Sequence, residues 1–109
     1  MSKKNTKSDK LYAFMINDLL DFNIDELVTF IEDEYPSCDI YNVKKRYIHI
    51  QPNGIDLNKI LINFILQKLN DTNEKSDEAE KCIKENINIF FDITDKSDGV
   101  YIVEKMESN

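Results

Sequence analysis

Residues 55–70, IDLNKILINFILQKLN, constrain this chain more than any other stretch. Wound at about 100° per residue, Leu57, Ile60, Leu61 and Phe64 share one direction and Ile62, Ile65, Leu66 and Leu69 continue the arc. Only Lys59, Asn63, Gln67 and Asn70 make a polar stripe. A helix apolar over so much of its circumference belongs in a core, touched from more than one side. Asp56 stands at the N-cap position after a Pro52-Asn53-Gly54 turn, and Asn70-Asp71 ends the pattern. The predicted helix is therefore 56–70, and the rest of the chain must wrap it.

Two helices are expected before it. The first spans about 9–22, with Leu11, Met15, Leu19 and Phe22 on its buried face, Tyr12, Ile16 and Leu20 widening that face, and Lys10, Asn17 and Asp21 toward solvent. Asn23 caps the second, 23–35, whose Ile24, Leu27, Val28, Ile31 and Tyr35 form a single apolar stripe ended by Pro36. From Cys38 the period changes to two. Over 38–51, Ile48 and Ile50 point one way and Tyr47 and His49 the other, so this segment reads as a hairpin turning at Lys44-Lys45, with one bent strand as the alternative.

A polar loop after the core helix leads to Ser76, which starts a helix over 76–86 with a narrow apolar stripe of Ala79, Cys82, Ile83 and Ile87. At the carboxyl end Ile87, Ile89, Phe91 and Ile93 alternate with Asn88, Phe90, Asp92 and Thr94. A loop from Asp95 to Gly99 turns the chain and Val100–Lys105 returns, which predicts a second hairpin over 87–106 with Phe90 on its otherwise polar face. The fold class that follows is α+β: an antiparallel sheet of two hairpins with about four helices packed mainly on one face. Residues 1–8 read as a disordered basic tail and 9–109 as one globular domain, which suits a chain of 109 residues with 41% hydrophobic content.

The net charge of −7 is unevenly spread. Residues 11–36 carry seven acids and no lysine or arginine, whereas the first ten residues are basic. No apolar run is long enough to span a bilayer and no secretory leader is evident, so a cytoplasmic protein is expected, with no membrane among its partners. Cys38 and Cys82 belong to no metal or redox spacing and are expected to be free, buried thiols.

An enzyme is not expected. The chain has one histidine, no Gly-rich phosphate loop, no GxSxG and no HExxH, so neither a cofactor nor a metal is implied. His49 reads as a strand histidine with its hydrogen bonds satisfied. Asp92, Asp95 and Asp98 are three apart, which fails the EF-hand pattern and fits turn chemistry.

The leading site is a surface of the second helix. Glu26, Phe30 and Glu34 fall at i, i+4 and i+8, off the apolar stripe, with Asp25 and Asp33 beside them. Acids in a last helical turn oppose the macrodipole, so a role other than helix stability is implied for Glu32, Asp33 and Glu34. Carboxylates around an aromatic ring suit a basic, partly apolar partner, because charge steers the encounter and the ring anchors it. The expected function is a non-catalytic, acidic protein-binding module of the inhibitor, immunity or nucleic-acid-mimic type, engaging a basic protein partner, with nucleic-acid-binding proteins among the candidates. The plain alternative has Phe30 packed inward and the acids as a solvated face.

A second patch, Lys44, Lys45, Arg46 and Tyr47, with Tyr41 and His49 nearby, suits phosphates and stacked bases and would make a small nucleic-acid-binding regulator. The net charge opposes that reading. A third is a structural subunit completing a larger assembly through Phe90 or an edge strand. No feature of the sequence sets the oligomeric state.

Overall fold

A computed structural model describes residues 6–71 and 77–106. The order is α1 (Thr6–Leu19), α2 (Ile24–Glu34), β1 (Asp39–Tyr41), β2 (Tyr47–Gln51), α3 (Leu57–Asp71), α4 (Asp77–Glu85), α5 (Ile87–Phe90), β3 (Phe91–Asp95) and β4 (Tyr101–Lys105). α3 is the predicted core helix. Leu57, Ile60, Leu61, Phe64, Ile65 and Leu69 are all buried, and the Asn58 N–H donates to Asp56 Oδ1 at 3.0 Å, which makes Asp56 its cap.

The four strands form one antiparallel sheet ordered β1-β2-β4-β3, so the two predicted hairpins are joined through their inner strands. The register sets Ile48 opposite Val103 and Val103 opposite Ile93. Ile48, Ile50 and Val103 are fully buried against the helical layer, while Tyr47, His49, Ile102 and Glu104 alternate onto the other face. The first hairpin closes with the Lys44 N–H donating to the Tyr47 carbonyl at 2.8 Å. The second turns through Ser97, Asp98 and Gly99, all at positive φ, with the Ser97 N–H donating to Asp95 Oδ1 at 2.8 Å.

α1 presents a different face from the one its spacing suggests. Ile16 and Leu20 are buried, as expected of the flank of that face, but they are joined by Ala13 and by Asn17, which the spacing sets toward solvent, whereas Leu11, Phe14, Met15 and Leu19 are 59%, 50%, 59% and 61% exposed. The reason lies at both ends of the helix. Phe22, the largest member of the expected stripe, has left the helix and sits in the connector, with ring centroids 4.9 Å from Phe64 and 5.9 Å from Phe91. The helix instead lies against α4 and α5, where small Ala13 allows close approach and Asn17 Nδ2 donates to the Ile89 carbonyl at 3.3 Å. It begins at Thr6, three residues before the expected start. The expectations for residues 1–5 and for Ser76 lie outside the described residues.

Residues 87–90 are also corrected, from strand to helical turn. Phe90 and Phe91 are both fully buried, which adjacent strand residues cannot achieve on a sheet with one covered face. A turn at α5, with the Ile89 N–H donating to the Asn86 carbonyl at 2.9 Å, brings both rings inward. Phe90 therefore offers no surface to an assembly. Among the described residues no helix is long and apolar enough to cross a membrane.

Candidate functional site

The predicted acidic surface starts with the local chemistry of α2. Asn23 Oδ1 accepts from the Glu26 N–H at 3.0 Å and Glu26 Oε2 accepts from the Asn23 N–H at 3.3 Å, a reciprocal capping box. With Ile24, Leu27 and Ile31 buried beneath, the helix can turn only one way, and that orientation puts Phe30 against α3. Asp25, Glu26, Phe30, Asp33 and Glu34 then all line one cleft of about 470 Å³ between α2 and α3. Phe64, Gln67 and Lys68 supply its α3 side.

Within the cleft the five residues have different jobs. Glu26 is partly used by the fold, because Lys68 Nζ donates to Glu26 Oε1 at 2.5 Å. The Lys68 hydrogen bond, with help from the Asn23 N–H and the nearby Lys68 and Lys105 charges, holds this carboxyl below the usual glutamate range against the opposing effect of burial. Asp25, Asp33 and Glu34 are exposed and make no ion pair among the described residues. No basic residue stands in the last turn of α2 to offset its acids.

Phe30 is not the protruding ring that the spacing suggests. It is half-buried, edge-on to Phe64 at 5.5 Å and tilted against Tyr35 at 5.9 Å. Phe30 also borders a neighbouring hollow of about 420 Å³ lined by Tyr35, Asn63 and Leu66, so the ring forms a partition between two concavities. Tyr35 is held there by Asn63 Nδ2, which donates to its hydroxyl at 2.7 Å. Lys68 is the site residue that sequence reasoning missed. It lies 42 residues from Glu26, and no local pattern ties the two together.

The basic patch is more divided. Lys44, Lys45 and Arg46 are exposed in the first hairpin loop, and Tyr47 is half-buried in β2 with its ring 5.9 Å from His49. Arg46 pairs with Glu104 at 3.8 Å. Tyr47 is registered opposite Glu104 and Glu104 opposite Asp92, so carboxylates occupy the same outward row as the tyrosine. Lys45 and Arg46 also border a cavity of about 510 Å³ with Lys105. There Lys105 Nζ donates to the Phe22 carbonyl at 2.5 Å and sits 4.7 Å from the Phe22 ring centroid. Asn23 lines both this cavity and the acidic cleft, so the two oppositely charged regions adjoin.

His49 is not the satisfied histidine that was expected. Its Nδ1 is buried with no hydrogen-bond partner among the described residues. Its cross-strand neighbours are Ile102, whose side chain is apolar, and Tyr41, whose hydroxyl donates to Gln51 Oε1 at 2.8 Å. Both cysteines are buried and neither forms a disulfide, as their spacing suggests. The Cys38 thiol donates to the Pro52 carbonyl at 3.5 Å, and burial, with Asp39 adding to it, raises its pKa and keeps it protonated and unreactive. The described residues contain no group of three or more side chains able to hold a metal. Comparison of the chain with protein-family models, with curated proteins and with solved structures found no match.

Proposed function

We propose that this chain is a non-catalytic binding module that receives a cationic, partly apolar segment of a partner protein in the cleft between α2 and α3. One observation carries the reading: three carboxylates that make no ion pair among the described residues, Asp25, Asp33 and Glu34, surround a concavity whose accessible apolar surface is the half-buried Phe30, backed by buried Phe64. A lysine or arginine entering there gains charge-assisted hydrogen bonds. An aliphatic neighbour in the same segment is desolvated against the Phe30 ring, and exclusion of water strengthens the polar contacts around it. Lys68 makes the cleft selective, since its ammonium already neutralises the Glu26 end and directs an incoming cation toward Asp33 and Glu34.

Inhibitors, immunity proteins and nucleic-acid mimics act by this physical means, and a nucleic-acid-binding protein has the basic surface to meet it. We place the module in a reducing cytoplasm, which suits two buried cysteines that form no disulfide. The nucleic-acid-binding alternative, through Lys44, Lys45, Arg46 and Tyr47, has weaker support because Glu104 and Asp92 share its outward row. A structural-subunit role would now have to use an edge strand, β1 or β3, rather than Phe90.

The test is a titration of the isotopically labelled protein with a synthetic peptide of alternating arginine and leucine, read by amide chemical shifts. Saturable shifts are expected to cluster on α2 and α3, weakening as salt rises past the point where the Debye length drops below about 10 Å. Asp33→Lys with Glu34→Lys is expected to abolish them while the thermal transition stays in place. Shifts centred on the Lys44–Arg46 loop, or binding unchanged in the double variant, would overturn the reading.

A further inference from the structure

Four of the seven exposed large apolar side chains among the described residues lie on α1. Soluble proteins rarely leave so much contiguous apolar surface uncovered without a binding use. The stripe lies opposite the buried face of the same helix, so nothing in the domain's own core accounts for it.

Its residues form two adjacent rows at i, i+4, i+8. One row is Leu11, Met15, Leu19; the other is Lys10, Phe14, Asp18. All six are exposed, and neither Lys10 nor Asp18 makes an ion pair among the described residues. A two-fold axis perpendicular to the helix reverses both rows. The first, leucine-methionine-leucine, reads the same in either direction, and the second, cation-ring-anion, becomes its own complement. Each Lys10 then faces the other copy's Asp18, Phe14 meets Phe14, and Met15 meets Met15. Rows of i±4 spacing are also the ridges that interlock in the commonest helix-helix crossing.

Asp18 decides between kinds of partner. It lies in the stripe, one turn from Phe14 and Met15, and a lipid surface would have to accept that carboxylate into its apolar layer uncompensated. A second copy supplies the missing cation. We infer that α1 is the contact face of an antiparallel two-fold homodimer, held by the Leu11/Met15/Leu19 row and registered by Lys10 against Asp18. The contact runs only about 12 Å along the helix and falls short of the roughly 800 Å² per partner of a standard interface. Such a dimer dissociates as the protein is diluted through the micromolar range.

Sedimentation velocity on the full chain tests this. The expected result is a mass rising from 12.8 kDa toward twice that value with concentration. Met15→Glu places like charges at the two-fold centre and is expected to leave a monomer. Lys10→Glu alone is expected to raise the dissociation constant roughly tenfold, because acid then meets acid. Lys10→Glu combined with Asp18→Lys reverses the charged row, keeps it self-complementary and is expected to restore the dimer. Far-ultraviolet circular dichroism confirms that each variant is folded, as exposed positions should allow. A wild type that stays at 12.8 kDa at every concentration overturns the inference. So does a double variant that fails to recover, or a monomer that instead co-sediments with phosphatidylserine vesicles.

Discussion

α1 and α2 are neighbours in sequence, similar in length and both rich in apolar residues, yet only α2 faces the way its spacing dictates. In α2 the apolar residues occupy one stripe, Ile24, Leu27 and Ile31, and the opposite side carries acids, so a single orientation buries the one without the other. α1 is apolar on two sides. Ala13, Ile16 and Leu20 form one face, Leu11, Met15 and Leu19 the other, and hydrophobic periodicity scores them alike. Tertiary contacts decide: the face carrying small Ala13 and hydrogen-bonding Asn17 fits against α4 and α5. A helix with one apolar face has its orientation written in its own residues, whereas a helix with two is oriented by its surroundings, and the unused face becomes available to a partner.

The largest expected effect separates the buried faces from the surface. Leu27→Ala in α2 and Ile16→Ala in α1 each remove a side chain of 0–3% exposure, and each should lower the unfolding free energy by about 2–5 kcal/mol. Urea denaturation measures both. If Ile16→Ala proves nearly neutral while Leu11→Ala is costly, α1 faces the other way and the comparison collapses.

Much of this architecture was legible because local pattern and tertiary need agree. The burial of α3, the cap at Asp56, the stripe of α2, the capping role of Asn23 and the turn of the second hairpin follow from period and turn chemistry, whereas the first hairpin follows from period alone, since Lys44-Lys45 carries no hairpin-turn signature. The carboxylates of the cleft were legible too, since Asp25, Glu26, Asp33 and Glu34 stand off the α2 stripe. Their setting was not. Lys68 reaches Glu26 across 42 residues, and that pairing exists only once α2 has docked on α3. The α5 turn was hidden because isoleucine at 87 and 89 followed by phenylalanine at 91 imitates a strand. The adjacent Phe90-Phe91 pair held the contrary signal, since two bulky rings in succession need a bend for both to be buried.

A smaller effect sharpens the comparison at the end of α2 that meets α3. The Glu26 pKa is lowered in the folded protein, so its ion pair contributes stability that is complete above the ordinary glutamate pKa. That contribution is lost as pH falls through the lowered folded value. Glu26 keeps 42% of its side chain exposed, so solvent screening limits the contribution to no more than about 1 kcal/mol. Urea midpoints followed from neutral pH into the acid range should show wild type falling toward Glu26→Gln, with a constant gap at higher pH. A gap that widens on acidification would mean that Lys68 does not stabilise the carboxylate.

The smallest effect concerns the uncovered side of α1. In dilute solution Leu19→Ser should change the unfolding free energy by no more than about 0.5 kcal/mol, as expected for a surface position away from caps and core. That near-silence contrasts with Ile16, three residues earlier on the buried side. Concentration then separates exposure from function. A dimer that binds only folded chains raises the wild-type melting temperature as protein concentration rises, by mass action. Leu19→Ser, having lost one end of the leucine-methionine-leucine row, should show no such rise. Melting curves at two concentrations, one well below and one well above the dimer midpoint, therefore distinguish an idle apolar face from one held in reserve for a second copy: parallel behaviour of the two proteins makes the face idle, divergence at the higher concentration makes it an interface.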